Sequence, residues 1–345
     1  MALIALAAHD PGGAAVLAAA APSLRARGHG LLWLPAGPAV RIWREAGEYV
    51  PDGLDGAAAA ATLTQALPGL LLTGASFLDD FERRLWSAGR KLRIPSLAVL
   101  DSWTNIERRF QFSDATSEQP DVLGVIDEIT RVQISAEGWC RARMIVVGQP
   151  HLAVRTDRLK RRRKYRPNGS AKRIVFFSEP IVADYGPAAR GFTQFEVATL
   201  AAQALAGYPG IVMDVKPHPR EADADWRDWL ARTPNVRLAT EDTETLLAAA
   251  DGVMGITTIV LIEATLAGIP ALSLQPDRPA ILNPALEEMV QIVTRRDVAI
   301  AAVQAWVGDL NRSIKPTQRA EELLVGAARL VAAAEETLSD PARRA

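Results

Sequence analysis

Residues 251–275, DGVMGITTIVLIEATLAGIPALSLQ, restrict the fold of this chain more than any other segment. An apolar strand is expected at Val253–Ile256, followed by two hydroxyl residues, Thr257 and Thr258. An almost wholly apolar helix follows over Ile259–Ala267. Gly268 stops it, and Pro270 leads into a second apolar strand, Ala271–Leu274. Strand, helix and strand in succession belong to a parallel sheet, because two parallel neighbours need a crossover between them. The mouth of such a helix carries unpaired N–H groups and a partial positive charge, which favour an anion such as phosphate. Thr257 and Thr258 would add donors there, and N-capping is a reading compatible with that. Glu263 lies among aliphatic residues and must find a polar partner or be neutralised. A ribose would satisfy it, and so would a buried arginine.

The same alternation runs through the rest of the chain. In the first half, strands are predicted at Leu3–Ala8, His29–Leu34, Gly69–Thr73, Ser96–Leu100, Val122–Ile126 and Met144–Val147. Helices are predicted at Ala14–Arg27, Ala39–Glu45, Leu54–Ala66, Leu78–Lys91 and Ile129–Gly138. The second half has strands at Arg173–Phe177, Ile211–Lys216 and Val236–Ala239. Its helices are expected at Phe192–Ala206, Trp226–Arg232 and Thr243–Ala250, ahead of the segment above. The tail, Asp297–Val307 and Thr317–Leu338, reads as helical. The expected fold class is α/β, with a Rossmann-like domain at 1–150, a basic linker at 151–171 and a second Rossmann-like domain at 172–315. A C-terminal helix at 316–345 is expected to pack back on the first domain.

Composition removes several function classes. The chain has 345 residues and a formal net charge of -1, which argues against nucleic acid as the main partner. Its single cysteine, Cys140, allows no internal disulfide and fits a reducing cytoplasm. Met1–Pro22 is apolar but is interrupted by His9-Asp10-Pro11-Gly12-Gly13 and lacks a basic start, so no signal peptide is expected. No apolar run is long enough for a membrane span. The four histidines are scattered, so no metal site is expected. Asp223-Ala224-Asp225 matches a metal-binding D-x-D only superficially, since it precedes a helix and reads as acid at a helix start. Lys160-Arg161-Arg162-Arg163-Lys164 reads as a solvated linker, with peripheral docking on anionic lipid or polymer as the alternative. Trp139, Trp226 and Trp229 read as packing residues.

Three polar loops in the second half follow predicted strands directly: Ser178-Glu179-Pro180, Lys216-Pro217-His218-Pro219 and Gly255-Ile256-Thr257-Thr258. Ligands of open parallel sheets bind beyond the carboxyl ends of the strands, so these loops should converge. Ser178, Lys216, His218, Thr257 and Thr258 are the candidate phosphate contacts. In the first half, Gly12 and Gly13 follow the first strand and would let a substrate approach the backbone. The loop is not a G-x-G-x-x-G fingerprint. Asp10 is the first candidate general base, with helix capping as its alternative role, and Asp101 is the second. Arg108 and Arg109 are candidate contacts for an anionic acceptor, or a solvated face.

With these residues in place the chain resembles the GT-B superfamily, in which two Rossmann-like domains face each other across a cleft and the second holds a nucleotide sugar. The likeness is strongest over residues 172–276. Lys216-Pro217-His218-Pro219 together with Gly255-Ile256-Thr257-Thr258 and Glu263 is similar to the His-Pro and paired-hydroxyl motifs of bacterial capsule transferases, of the polysialyl- and Kdo-transferase type, and of the glycerophosphotransferases of teichoic acid synthesis. In that pattern the histidine and the hydroxyl pair contact the donor phosphate, a role carried here to His218, Thr257 and Thr258. This chain has Thr-Thr where those families have Ser-Ser, and it lacks their acidic-Asp-Gly motif. The Glu263–Gly268–Pro270 layout also resembles the non-hydrolysing UDP-N-acetylglucosamine 2-epimerases. The resemblance implies a metal-independent glycosyltransferase of polysaccharide or glycoconjugate synthesis, with a nucleotide-sugar as co-substrate and no other cofactor. Its acceptor would be a sugar, lipid-linked or polysaccharide hydroxyl, and its place the cytoplasm or the inner face of a membrane. A 2-epimerase-like isomerase is the alternative, and a non-catalytic binding protein is a second one.

Overall fold

The computed structural model describes residues 1–77, 79–110, 118–164, 171–277, 284–311 and 317–340, with side chains of 284–286 excepted. The chain divides into two compact units: Met1–Val154 with Glu321–Ala345, and Arg155–Ala320.

Unit 1 runs β1 (Leu3–Ala8), α1 (Pro11–Ala26), β2 (Gly30–Pro35), α2 (Ala39–Glu45), α3 (Gly56–Ala66), β3 (Leu70–Thr73), α4 (Phe81–Lys91), β4 (Ser96–Val99), β5 (Val122–Val125), α5 (Glu128–Glu137) and β6 (Arg143–Val146). All its strand pairs are parallel, in the order β2-β1-β3-β4-β5-β6. Helix α6 (Pro150–Lys164) carries the chain into unit 2. There follow β7 (Lys172–Phe177), α7 (Ile181–Tyr185), α8 (Gln194–Leu205), β8 (Ile211–Lys216), α9 (Asp223–Leu230), β9 (Val236–Leu238), α10 (Thr243–Ala249), β10 (Gly252–Gly255), α11 (Val260–Leu266), β11 (Ala271–Leu274), α12 (Pro284–Met289), β12 (Gln291–Val293) and α13 (Ala299–Gly308). This sheet is also parallel throughout, in the order β12-β11-β10-β7-β8-β9. The tail holds α14 (Gln318–Leu324) and α15 (Gly326–Ser339).

The strands read as unbroken apolar runs because helices cover both faces of the sheets. Ile4, Leu6 and Ala8 of β1 pack with α1 and with Leu330 and Ala334 of α15. Successive side chains of a strand point to opposite faces. Leu71 of β3, between two residues of that cluster, meets Gly89 of α4. In unit 2, Phe176 and Met254 pack against Val197, Trp226 and Val303 of α8, α9 and α13. Trp226 and Trp229 are buried, and Asp223 opens α9.

Several segments differ from the sequence reading. The stretch taken as a linker is largely helix α6, and its cations are used internally. Arg158 and Arg162 pair with Glu244, Arg161 pairs with Asp157, and Arg163 donates to the carbonyls of Leu247, Ala248 and Ala250 at the end of α10. The run is therefore part of a helix and not a linker, with Arg162 and Arg163 held on α10 while Lys160, Arg161 and Lys164 are exposed. Its final part, Pro167–Ser170, lies outside the described residues, as do Leu78 and the boundary at 315–316. The single tail helix is two helices, with Val325 between them. Strand β12 and helices α7 and α12 were not anticipated; all are six residues or shorter, too few to carry a periodic signal.

Candidate active site

Each sheet has one place where neighbouring strands send their connections to opposite sides, and in open α/β sheets that switch point holds the ligand crevice. In unit 2 it lies between β7 and β10, with β8 next to β7. The three polar loops of the second half therefore stand at the carboxyl ends of adjacent strands. A cavity lined by Leu205, Tyr208, Met213 and Val236 opens near the other ends of β8 and β9, away from the carboxyl ends where ligands of open sheets bind.

Two carboxylates tie the three loops together. Glu179, after β7, accepts the Thr257 N–H at 2.7 Å and the Thr257 hydroxyl. Burial pushes its carboxyl up to about 7, while hydrogen bonds from Thr257 and from the Thr258 N–H pull the other way and nearby Glu221 raises it further. Glu179 as a residue keeps partial exposure, yet its carboxylate is enclosed enough for burial to dominate. Glu221 accepts the Ser178 hydroxyl at 3.0 Å and the His218 N–H at 2.6 Å. Thr258 accepts the Val260 N–H at 3.3 Å through its hydroxyl, one residue ahead of the α11 cap position, which Ile259 occupies without a side-chain cap bond. The donors expected to be open to a phosphate at Thr257 are thus taken by a protein carboxylate. A sequence signal existed in Glu179 itself, but only the adjacency of β7 and β10 reveals its partner.

His218 accepts the Arg220 N–H on Nδ1 at 3.2 Å. Burial and the Arg220 charge lower its pKa, and with Nδ1 accepting, the neutral ring carries its proton on Nε2. Arg220 is bound by both oxygens of Asp184, at 2.6 and 2.8 Å, which braces the loop against α7. Lys216 ends β8 beside Ser178 and has no ion pair among the described residues. Next to Thr257 a small concavity is floored by Ile256 and Phe192 and edged by Tyr185 and Arg190, whose guanidinium stands 4.1 Å from the Tyr185 ring centre. Glu263 pairs with Arg155 of α6 at 2.9 Å; burial raises its pKa and Arg155 opposes that. Of its two readings the structure supplies the arginine, so a ribose would have to compete with it.

In unit 1 the switch point lies between β1 and β3. Asp10 occupies the capping position of α1 without capping it. Its Oδ1 meets His9 Nδ1 at 2.9 Å, and its Oδ2 accepts the Phe77 N–H at 2.9 Å. Asp101 is ion-paired at 2.7 Å with Arg109, which is buried and also donates to the Ala75 carbonyl at 2.5 Å. The solvated-face reading therefore holds for Arg108, which is exposed, and fails for Arg109. The room at the two glycines is filled from within. A Cβ on Gly12 would stand 1.7 Å from Asp101 Oδ2, and one on Gly13 2.9 Å from the Gly74 Cα. They permit close packing of protein on protein. Glu82 is fully buried, accepts the His9 N–H at 2.9 Å and the Ser76 hydroxyl at 2.8 Å, and has its pKa raised by burial. Neither His9 nor Glu82 was singled out from the sequence; the signal for His9 was its place at the end of the first strand. Among the described residues no cluster of metal-ligating side chains is present.

No family model matches the sequence, and no curated protein matches it. Solved structures do match its fold. A putative UDP-N-acetylglucosamine 2-epimerase from Listeria monocytogenes superposes with a TM-score of 0.69 at 12% identity, over 98% of this chain and 96% of that one. The UDP-GlcNAc 2-epimerase of Neisseria meningitidis, bound to UDP-GlcNAc, gives 0.63 at 12% identity over 98% and 100%. The glycotransferase of kitacinnamycin gives 0.59 at 14% identity over 97% and 99%. At these identities the likeness establishes the fold, which is GT-B, with two Rossmann-like α/β units.

Proposed function

We propose that the chain is a metal-independent glycosyltransferase that takes its sugar from a nucleotide-sugar donor. The observation that carries this is the grouping of Ser178, Lys216, His218, Thr257 and Thr258 at the ends of three adjacent strands, at the switch point of a GT-B unit. The donor's phosphates are held by Lys216, by the Nε2–H of His218 and by the Thr257–Thr258 loop once Glu179 gives up its hydrogen bonds. The Tyr185 ring and Arg190 offer a flat surface for the nucleobase. Fixed donors aimed at a leaving diphosphate commonly contribute more to such catalysis than any other group. The acceptor is a sugar, lipid-linked or polysaccharide hydroxyl.

A second reading is supported by the epimerase likenesses: interconversion of UDP-N-acetylglucosamine and its manno epimer without an acceptor. The first test is a thermal-shift screen against UDP, CMP, CDP, GDP and dTDP, since a ligand that binds only the native state raises its apparent stability. The nucleotide sugar so selected is then incubated with and without acceptor. A transferase releases nucleotide on addition of acceptor; an epimerase makes the second isomer alone. No shift with any nucleotide would refute both.

A further inference from the structure

Glu179 has the coordination of a bound anion. Its Oε1 accepts the Thr257 N–H at 2.7 Å, its Oε2 accepts the Thr257 hydroxyl, and the Thr258 N–H also bonds to it. Donors that close on two carboxylate oxygens in this way serve two phosphate oxygens as well, since both groups are charged acceptors. Beside them Gln275 is only 2% exposed. Its amide donates to the Ile256 carbonyl at 3.0 Å and to Ser273 Oγ at 2.8 Å. Those bonds fix its orientation, and its Oε1 is an acceptor without a partner among the described residues. Gln275 and Thr257 line the same concavity, together with the cation of Arg190. An unused acceptor beside such donors suits a ligand that brings phosphate oxygens and hydroxyl groups together, as a nucleotide sugar does.

The charges nearby set a condition on a phosphate that enters. Glu221 faces Glu179 from the loop after β8 and disfavours its charge. Glu221 is itself committed to the Ser178 hydroxyl and the His218 N–H. Lys216 and His218 belong to that loop, and Arg220 is bound by Asp184 of α7. A phosphate brought beside two ionised carboxylates adds a third like charge, and like charges disfavour ionisation of the nearest acid.

We infer that Glu179 is itself a phosphate-binding residue: the Thr257 and Thr258 donors turn from its carboxylate to the phosphate oxygens of a nucleotide sugar, and Glu179, having taken one proton from solvent, donates a hydrogen bond to the same phosphate. The role deepens the nucleotide-sugar reading above and rests on it. No bond to carbon or phosphorus changes, and the proton gained by the carboxyl is the one lost by solvent. In the free protein burial holds this carboxyl at about 7. The arriving negative charge raises it further. Binding above pH 7 therefore draws in a proton, whereas well below 7 the proton is already in place. A carboxyl that swung out to water would do the reverse and release a proton at low pH.

The test is titration calorimetry on the full chain, in buffers of different ionisation enthalpy, with UDP-N-acetylglucosamine as the first probe and the nucleotide sugar selected by the screen as the next. The diphosphate of such a ligand keeps its charge between pH 6 and 8, so a proton taken up belongs to the protein. Uptake is expected to be small at pH 6 and to approach about one proton per site at pH 8. Glu179→Gln keeps a hydrogen-bond donor and cannot ionise, so its uptake should not rise over that range; a remainder in it belongs to His218. Carbon NMR of the glutamate carboxyls needs no variant: the one that titrates near 7 in the free protein should stay protonated at pH 8 in the complex. Binding without uptake at pH 8, release at pH 6, or the same uptake in Glu179→Gln overturns the role of Glu179 and leaves the nucleotide-sugar reading standing. A wild type that binds no nucleotide sugar defeats that reading, and the role of Glu179 with it.

Discussion

The two switch points lie in parallel six-stranded sheets of different strand order, and they are lined by different groups. At β1/β3 the groups are His9, the carboxylates of Asp10, Glu82 and Asp101, and the buried guanidinium of Arg109. At β7/β10 and the neighbouring β8 they are N–H and O–H donors, with two carboxylates laid across them. Strand order decides where a crevice lies, and a few loop residues decide which groups line it. Glu179 is the residue on which the contrast turns, because it fills with protein the place where an anion is proposed to bind.

Breaking that arrangement should have the largest effect. Glu179 has an ordinary carboxyl value of 4.5 and about 7 in the folded chain. The native state therefore holds this proton more tightly than the unfolded chain does. Its contribution to stability is complete below 4.5 and is lost as pH rises through 7. At about 1.4 kcal/mol per pH unit the span is about 3 kcal/mol. Glu179→Gln should flatten that dependence in thermal unfolding between pH 4 and 8. Nucleotide affinity in the wild type should fall about tenfold per pH unit above 7, as the ionised carboxylate retains the donors, and stay level in the variant by calorimetry.

On the unit 1 side, Gly13→Ala forces a methyl against Gly74, where helix and strand loop meet backbone to backbone. Overpacking of this kind costs about 1–3 kcal/mol, measurable by denaturant midpoint. His218→Ala should weaken nucleotide binding by about 1 kcal/mol, one neutral hydrogen bond, with little change in the melting temperature. The smallest effect is expected at α6. Arg163→Ala removes a guanidinium from the carbonyl end of α10 and should cost about 0.5–1 kcal/mol in stability. Sedimentation with anionic vesicles should show no strong binding by the wild type; avid binding that Lys160→Ala with Lys164→Ala abolishes would restore the lipid-docking alternative.

Much of the fold was legible because apolar runs flanked by Gly and Pro leave little choice. Leu3–Ala8, Ile211–Lys216 and Ala271–Leu274 are strands with the limits expected of them. Helix α6 was not legible as structure, since its arginines resemble a solvated run until Glu244 and the end of α10 are brought to them from eighty residues away. The three strand-end loops could be named from the sequence, whereas the occupant of each could not. Glu263 looked like a ribose contact because its arginine lies in a segment read as linker.

The order of residues alone determined an α/β chain in two halves and put polar loops after its strands, since side-chain periodicity and turn residues are local properties. Tertiary structure decided which carboxylate meets which donor. Strand order is set by packing across the whole sheet, and a hydrogen bond between residues seventy or eighty positions apart exists only after that order has formed: Asp10 on Phe77, Glu179 on Thr257.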